Sequence, residues 1–190
     1  MLVVITGIPG AGKTTIATKA LKELKQESGV EYEIITYGSV MFEIAKERGL
    51  VKHRDEMRKL KPEIQREIQL EAAMRIYEMS REKNILLDTH CTISTPKGYL
   101  PGLPEYILKE LKPHSLIIIE SKPEEIIERR VSDKSRERDS ESMESIELHQ
   151  EINRYFAAAY SAISGCTIKI IQNHQGRIAE AVEELKKVLS

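Results

Sequence analysis

Residues 7–14 of this 190-residue chain read Gly7-Ile8-Pro9-Gly10-Ala11-Gly12-Lys13-Thr14, the spacing G-x-x-x-x-G-K-[ST], and Thr15 follows. Glycines at these positions let backbone N–H groups close around an oxyanion with no Cβ in the way. A lysine there reaches the outer phosphates of a nucleotide, and the Thr14 hydroxyl is offered to Mg²⁺. Gly7, Ile8, Pro9, Gly10, Ala11, Gly12, Lys13, Thr14 and Thr15 are therefore the candidate phosphate-binding residues, with Lys13 the candidate catalytic cation. Asp88 closes the apolar run Ile85-Leu86-Leu87. A carboxylate at such a strand end holds Mg²⁺ through its water shell or caps the loop that follows. Glu120, at the end of the next apolar run, has the same two readings. His90 is placed to bond a substrate phosphate or a neighbouring carbonyl.

Phosphoryl transfer needs positive charge on the moving group and water kept away from it. Arg129, Arg130, Lys134, Arg136 and Arg138 fall within ten positions, which marks residues 129–142 as a short lid held by charge. Arg136 and Arg138 are its candidate catalytic cations. A second cluster holds Arg54 and Arg58, whose i, i+4 spacing puts both on one face of an α-helix. That face either grips a phosphomonoester or forms salt bridges with Asp55 and Glu56. Lys97 to Pro104 reads as a rigid Pro/Gly loop at the edge where a second substrate would lie.

These residues need elements to hold them. Apolar runs at 2–6, 33–37, 84–88, 115–120 and 167–172 alternate with helix-period stretches at 13–28, 39–48, 62–82, 104–111, 123–132, 144–163 and 176–189. Pro62, Pro104 and Pro123 each suit the first turn of a helix. The pattern predicts a doubly wound α/β fold with a five-stranded parallel sheet, whose ligands gather at the carboxyl ends of the strands. Helix 144–163 carries Ile146, Ile152, Tyr155, Phe156, Ala159, Tyr160 and Ile163, more apolar breadth than one core stripe requires. It is either a central buried helix or a surface for self-association with Tyr160 exposed.

Composition bounds the rest. With 41% apolar and 31% charged residues, the chain suits one well-cored domain. A formal charge of -1 gives no global field to recruit nucleic acid. Cys91 and Cys166 stand apart with no metal-ligand spacing, as free thiols in a reducing compartment. No apolar run approaches a membrane span, so a cytoplasmic location is expected, with no membrane partner.

The series Gly7 to Thr15, Tyr37-Gly38-Ser39-Val40-Met41-Phe42-Glu43, Arg54 to Leu60, Asp88-Thr89-His90-Cys91-Thr92, Thr95 to Pro104, Arg136-Glu137-Arg138-Asp139, His149-Gln150 and Asn153-Arg154 resembles the archaeal-type adenylate kinases from end to end. The resemblance implies a nucleoside-monophosphate-kinase fold of P-loop type with sheet order 2-3-1-4-5. It also implies the reaction MgATP + AMP ⇌ MgADP + ADP and a homotrimer. ATP and Mg²⁺ are then the cofactors, AMP and ADP the small-molecule partners, and 36–80 the AMP-binding segment. Bacterial and eukaryotic adenylate kinases carry an arginine in the helix after the second strand and D-G-F-P-R after the third. This chain has Val40-Met41-Phe42-Glu43 and Asp88-Thr89-His90 there. Ser39, Arg54, Arg58, His90 and Arg138 are accordingly the expected substrate-binding residues, with Thr14 and Asp88 as metal ligands.

No catalytic base is needed, because a phosphomonoester with a second pKa near ~6 is already mostly ionised at neutral pH. A kinase for another small acceptor would keep the loop and lid and change only the acceptor pocket. A GTPase-type switch would need a glycine at Cys91 and an N-K-x-D reader where Asn173-His174-Gln175-Gly176 stands; both are absent.

Overall fold

A computed structural model describes residues 1–132 and 142–190. Strand β1 (Leu2–Thr6) is followed by α1 (Lys13–Ser28), β2 (Tyr32–Thr36), α2 (Tyr37–Glu47) and a 3₁₀ turn (Arg54–Lys59). Next come α3 (Pro62–Glu82), β3 (Asn84–Asp88), a hairpin of β4 (Thr92–Thr95) and β5 (Gly98–Pro101), and α4 (Glu105–Leu111). The chain continues through β6 (Ser115–Glu120), α5 (Pro123–Ser132), α6 (Met143–Ser164), β7 (Thr167–Gln172) and α7 (Ile178–Leu189). The main sheet is ordered β2-β3-β1-β6-β7 with every pair parallel, the 2-3-1-4-5 order expected of its five strands.

Burial follows from this order. β1 lies in the middle and all five of its residues are buried. Successive side chains of a strand point to opposite faces. Leu2 and Val4 thus join Ile85, Leu87, Leu116 and Ile118 beneath α2, α3, α4 and α6. Val3 and Ile5 join Leu86, Ile117 and Ile119 beneath α1, α5 and α7. The apolar stripe of α1, Ile16, Ala17, Ala20 and Leu24, packs into the second layer, and left-handed Gly29 ends the helix by donating its N–H to Lys25 O.

Two elements depart from the expected plan. α2 starts at Tyr37, because this buried tyrosine packs inward and donates its hydroxyl to Gln69 O of α3 at 2.6 Å. The segment after Asp88 is a β-hairpin, with Thr92 opposite Pro101 and Thr95 opposite Gly98. Pro96 and Lys97 form its turn, where Thr95 Oγ1 accepts from Lys97 N and donates to Gly98 O. Glycine is required at position 102, whose N–H donates to Cys91 O: an added Cβ would fall on the His90 carbonyl.

Helix α6 is both buried and exposed. Tyr160 is only 3% exposed, and its hydroxyl donates to Cys91 O and accepts from Leu103 N. The expectation that Tyr160 faces solvent is thereby corrected: it is a core residue that anchors the hairpin. The outer face of α6 instead presents Leu148, Tyr155 and Ile163.

Candidate active site

The chain leaves β1 at Thr6 and winds through residues 7–12 before α1 begins at Lys13. Gly12, the N-cap, sits at φ 91°, in the left-handed region that glycine adopts without strain. A side chain there would also strike the Asn173 amide. The first N–H groups of a helix have no intrahelical partner, and such a helix start favours an anion.

What fixes the loop is a set of bonds to its outward carbonyls. Arg130 Nε donates to Pro9 O at 2.8 Å, and Asn173 Nδ2 to Ala11 O at 2.8 Å. Arg129 Nη1 spans Gly10 O at 3.4 Å, Ala11 O at 3.3 Å and Ser121 Oγ at 3.1 Å, while its Nη2 donates to Asn173 O at 2.9 Å. With three successive carbonyls held from outside, the loop is shaped before any ligand arrives.

Lys13 Nζ lies 2.5 Å from Asp88 Oδ1, with both side chains partly exposed. The register explains the meeting: Asp88 pairs with Ile5 across β1 and β3, so its carboxylate emerges at the sheet edge from which the loop departs. His90 lines the same cleft, a cavity of about 380 Å³ that also includes Gly7, Pro9, Thr14, Thr15 and Arg129. Burial, and then the Lys13 ammonium, hold the His90 imidazole below its ordinary pKa, against the pull of Asp88.

From this cleft two recesses lead away. One, of about 270 Å³, runs past Gly12, Thr15 and Arg129 to Asn173, His174, Gln175 and Gly176. Glu125 organises that loop, accepting from Gln175 N at 2.9 Å, Lys122 N at 3.3 Å and Ser121 Oγ at 2.5 Å. Burial works to raise its pKa, but these bonds prevail and hold it down to about 2. The other recess, of about 280 Å³, shares Gly7, Ile8, Pro9 and His90 with the main cleft and ends at Thr92, His149 and Asn153.

The remaining expected residues form a second group. Arg54 Nη1 lies 3.4 Å from Ser39 Oγ. Arg58 turns to Asp55 at 3.3 Å, with the two side chains 86% and 89% exposed. The expectation of one shared face is corrected here, because the segment is a 3₁₀ turn and not an α-helix. At three residues per turn, positions four apart diverge by about 120°. Glu56 is no salt-bridge partner in this turn: it caps it, accepting from Lys52 N at 2.6 Å and His53 N at 3.2 Å.

Glu120, 2% exposed, turns to Arg154, which donates from Nε at 2.7 Å and Nη2 at 2.5 Å, and to Gln172 Nε2 at 2.8 Å. The first two arginines of the expected lid lie in α5 and hold the phosphate loop. Arg136 and Arg138 lie outside the described residues. Sequence reading had no signal for Asn173 as a loop partner beyond its position at the end of the last strand.

A five-stranded parallel sheet of order 2-3-1-4-5 with a phosphate loop after its first strand is the P-loop kinase fold. A family model described as an AAA domain matches residues 6–147. The crystal structure of a shikimate kinase from Bacteroides thetaiotaomicron, 15% identical, has a TM-score of 0.58 over 98% of this chain and 97% of that one, a likeness of fold. Proteins named adenylate kinase are far more similar in sequence. That of Methanothermobacter thermautotrophicus is 51% identical over 99% of this chain and 98% of its own. The Methanocaldococcus jannaschii protein is 52% identical over 99% and 97%, and the Methanopyrus kandleri protein 55% identical over 96% and 94%. The chain carries this P-loop domain and belongs to the adenylate kinase family.

Proposed function

We propose that the chain transfers the γ-phosphoryl group of MgATP reversibly to AMP, giving two ADP and so balancing the adenine nucleotides. The observation that carries this reading is the sharing of Gly7, Ile8, Pro9 and His90 by two cavities. A donor phosphate in one and an acceptor in the other would meet across the same turn of backbone, which is the positioning that phosphoryl transfer needs. The donor's base fits the recess at Arg129 and residues 173–176, where backbone groups of a loop and an arginine plane are on offer.

In this reading the N–H groups of the loop bind the β-phosphate and Lys13 leaves Asp88 for the β and γ oxygens. Mg²⁺, arriving with ATP, would be held by the Thr14 hydroxyl and by Asp88, and supplies charge neutralisation on the phosphates. The exposed Thr14 and the strand-end carboxylate are the hard oxygen donors that such an ion takes. Arg136 and Arg138 would close over the transferred group from a lid at 129–142. Residues 36–80 would form the acceptor segment of a single kinase domain, with Ser39, Arg54 and Arg58 toward AMP.

A homotrimer is part of the same proposal, supported by the exposed Leu148, Tyr155 and Ile163 on α6. Sedimentation of Tyr155→Glu and Ile163→Glu toward the monomer mass, from a larger wild-type species, is the expected result. No described helix is long and apolar enough to cross a membrane, and a cytoplasmic site of action completes the reading. ADP formation from ATP, measured with each nucleoside monophosphate in turn, tests the activity. A clear preference for AMP supports it, whereas a preference for another acceptor identifies a different small-molecule kinase.

A further inference from the structure

Two polar side chains of α6 grip the end of β6. Arg154 holds the Glu120 carboxylate, and Gln150, four positions earlier, holds the backbone of Ser121. Gln150 Oε1 accepts from Ser121 N at 3.2 Å, and its Nε2 donates to Ser121 O at 3.0 Å. The sheet explains why such a pair forms. β6 and β7 run together as far as Glu120 opposite Gln172, and Asn173 N donates to Glu120 O at 2.7 Å. Ser121, 3% exposed, has passed the last rung of that ladder, and a buried peptide group needs partners from elsewhere. The Gln150 amide supplies both, in the way a neighbouring strand would.

Alternation along the strand aims Glu120 and Ser121 apart. Glu120, in step with Leu116 and Ile118, turns to α6, whereas Ser121, in step with Ile117 and Ile119, turns to the face covered by α1 and α5. There its hydroxyl meets Arg129 Nη1 at 3.1 Å, Glu125 Oε2 at 2.5 Å and Asn173 O at 2.7 Å. A guanidinium can only donate, so the hydroxyl accepts from Arg129 and gives its one proton to Glu125, the charged acceptor. The same Nη1 reaches the phosphate-loop carbonyls Gly10 O at 3.4 Å and Ala11 O at 3.3 Å. Those two contacts are long, so a shift of a few tenths of an ångström loses them. The shorter bonds, to Ser121 Oγ and from Nη2 to Asn173 O at 2.9 Å, decide where the guanidinium sits. Ser121 is not among the residues lining the cleft at Lys13 or the recess at residues 173–176.

We propose that Ser121 is a positioning residue for the phosphoryl transfer: its hydroxyl sets Arg129 against the outward carbonyls of the phosphate loop and so keeps the cradle for the donor's phosphates in shape. The proposal rests on the phosphotransferase reading above and adds to it a residue that acts on the nucleotide only through another. With the hydroxyl removed, the guanidinium keeps its Nη2 bond to Asn173 O and swivels about it, and Nη1 leaves Gly10 O and Ala11 O. Each donor phosphate must then reshape the loop as it binds, which costs affinity. Gln150 gives α6 a part in this, since it holds the Ser121 backbone from the far face of the sheet.

The test is a double-mutant cycle. Dissociation constants of MgATP and of AMP, each alone, are measured by calorimetry for wild type, S121A, R129M and the double variant, beside their melting temperatures. S121A removes one hydroxyl and leaves both backbone bonds to Gln150 in place, so the fold is kept. It is expected to weaken MgATP about threefold or more, the scale of losing one hydrogen bond, with AMP within about twofold of wild type. R129M should weaken MgATP at least as much. The double variant should match R129M alone within about twofold, because the hydroxyl has no guanidinium left to place. A hydroxyl that only cements the domain would instead weaken both nucleotides alike and add its effect to that of R129M. A smaller loss of MgATP affinity in S121A, an equal loss for AMP, or full additivity with R129M each overturns the proposal. Failure of the underlying reading looks different: the wild-type protein would bind no MgATP, and both proposals would fall.

Discussion

The phosphate-loop side of the site and the proposed acceptor segment are built to different standards. Around the phosphate loop, Arg129, Arg130 and Asn173 reach across from α5 and the end of β7 to hold successive carbonyls, and Lys13 is already seated beside Asp88. Across the sheet, Arg54 only grazes Ser39 at 3.4 Å, and Arg58 is engaged in a solvated pair with Asp55. Exposed pairs of that kind are worth at most about 1 kcal/mol. The arginines of the proposed acceptor segment can therefore be redirected toward an anion at little cost. A loop with its carbonyls fixed cannot be reshaped so easily. On the proposed reading the donor phosphates would meet a preformed cradle, while the proposed acceptor segment would be free to settle on its ligand.

The largest expected effect breaks the donor side at its charge. Lys13→Ala should lower kcat by about 10²–10³-fold, the scale of removing one preorganised donor from developing charge. Its effect on stability should be small, since Lys13 and Asp88 are both partly exposed. Steady-state rates beside thermal melts of the same preparation decide this. A variant that loses its fold but keeps normal turnover in the folded fraction would contradict the assignment.

Next in size is the loop's support. Asn173→Ala removes the donor to Ala11 O and opens space beside Gly12. Because the change lies outside the ligand cavity's charged groups, it should act by loosening geometry. We expect a loss of about tenfold in kcat/KM for ATP, the cost of one buried hydrogen bond of about 1–2 kcal/mol. AMP affinity in the absence of ATP should be unchanged. Equal damage to both nucleotides would show that the loop after β7 supports the whole domain and not the donor site.

A smaller effect sharpens the acceptor side. Arg54→Ala should raise KM for AMP several-fold with little change for ATP, and Arg58→Ala should do less, because its guanidinium points about 120° away around the 3₁₀ turn. Identical responses from the two variants would restore the shared face that an α-helical reading of 54–58 implies.

That reading shows where the sequence was legible and where it was not. The phosphate loop and the parallel core were plain, since strand-length apolar runs and a helix-period stripe after Lys13 are local signals. Asp88 was legible because a strand's last residue must emerge at the edge. The 3₁₀ turn was not, since Arg54 to Lys59 has charges enough for any solvated helix and only the Glu56 cap decides its pitch. The hairpin hid behind Pro96, Gly98 and Pro101, turn-forming residues that also suit an edge pair. The pairing of Thr92 with His149 joins residues 57 positions apart, and no periodicity reports such a contact. Tyr160 was misjudged because an apolar helix face says nothing of which neighbour covers it.

The smallest expected effect concerns the acid side of the stability profile. Glu125 ties α5 to the loop at 174–176, and its pKa is held down to about 2 by the bonds from Ser121, Gln175 and Lys122. A depressed carboxyl contributes stability that is fully present above its unfolded value, near 4.5, and is lost as pH falls through the folded one. Wild type should thus lose stability between about pH 4.5 and 2 by more than Glu125→Gln does, while the two profiles run parallel near pH 7. The glutamine retains an acceptor for Gln175 N but carries no charge to be protonated. Melting temperatures of both proteins across that window give the comparison directly. Superimposable slopes would mean that the loop at 174–176 is kept in place by Asn173 and Arg129 alone, and the asymmetry between the phosphate loop and the proposed acceptor segment would then rest on the phosphate loop itself.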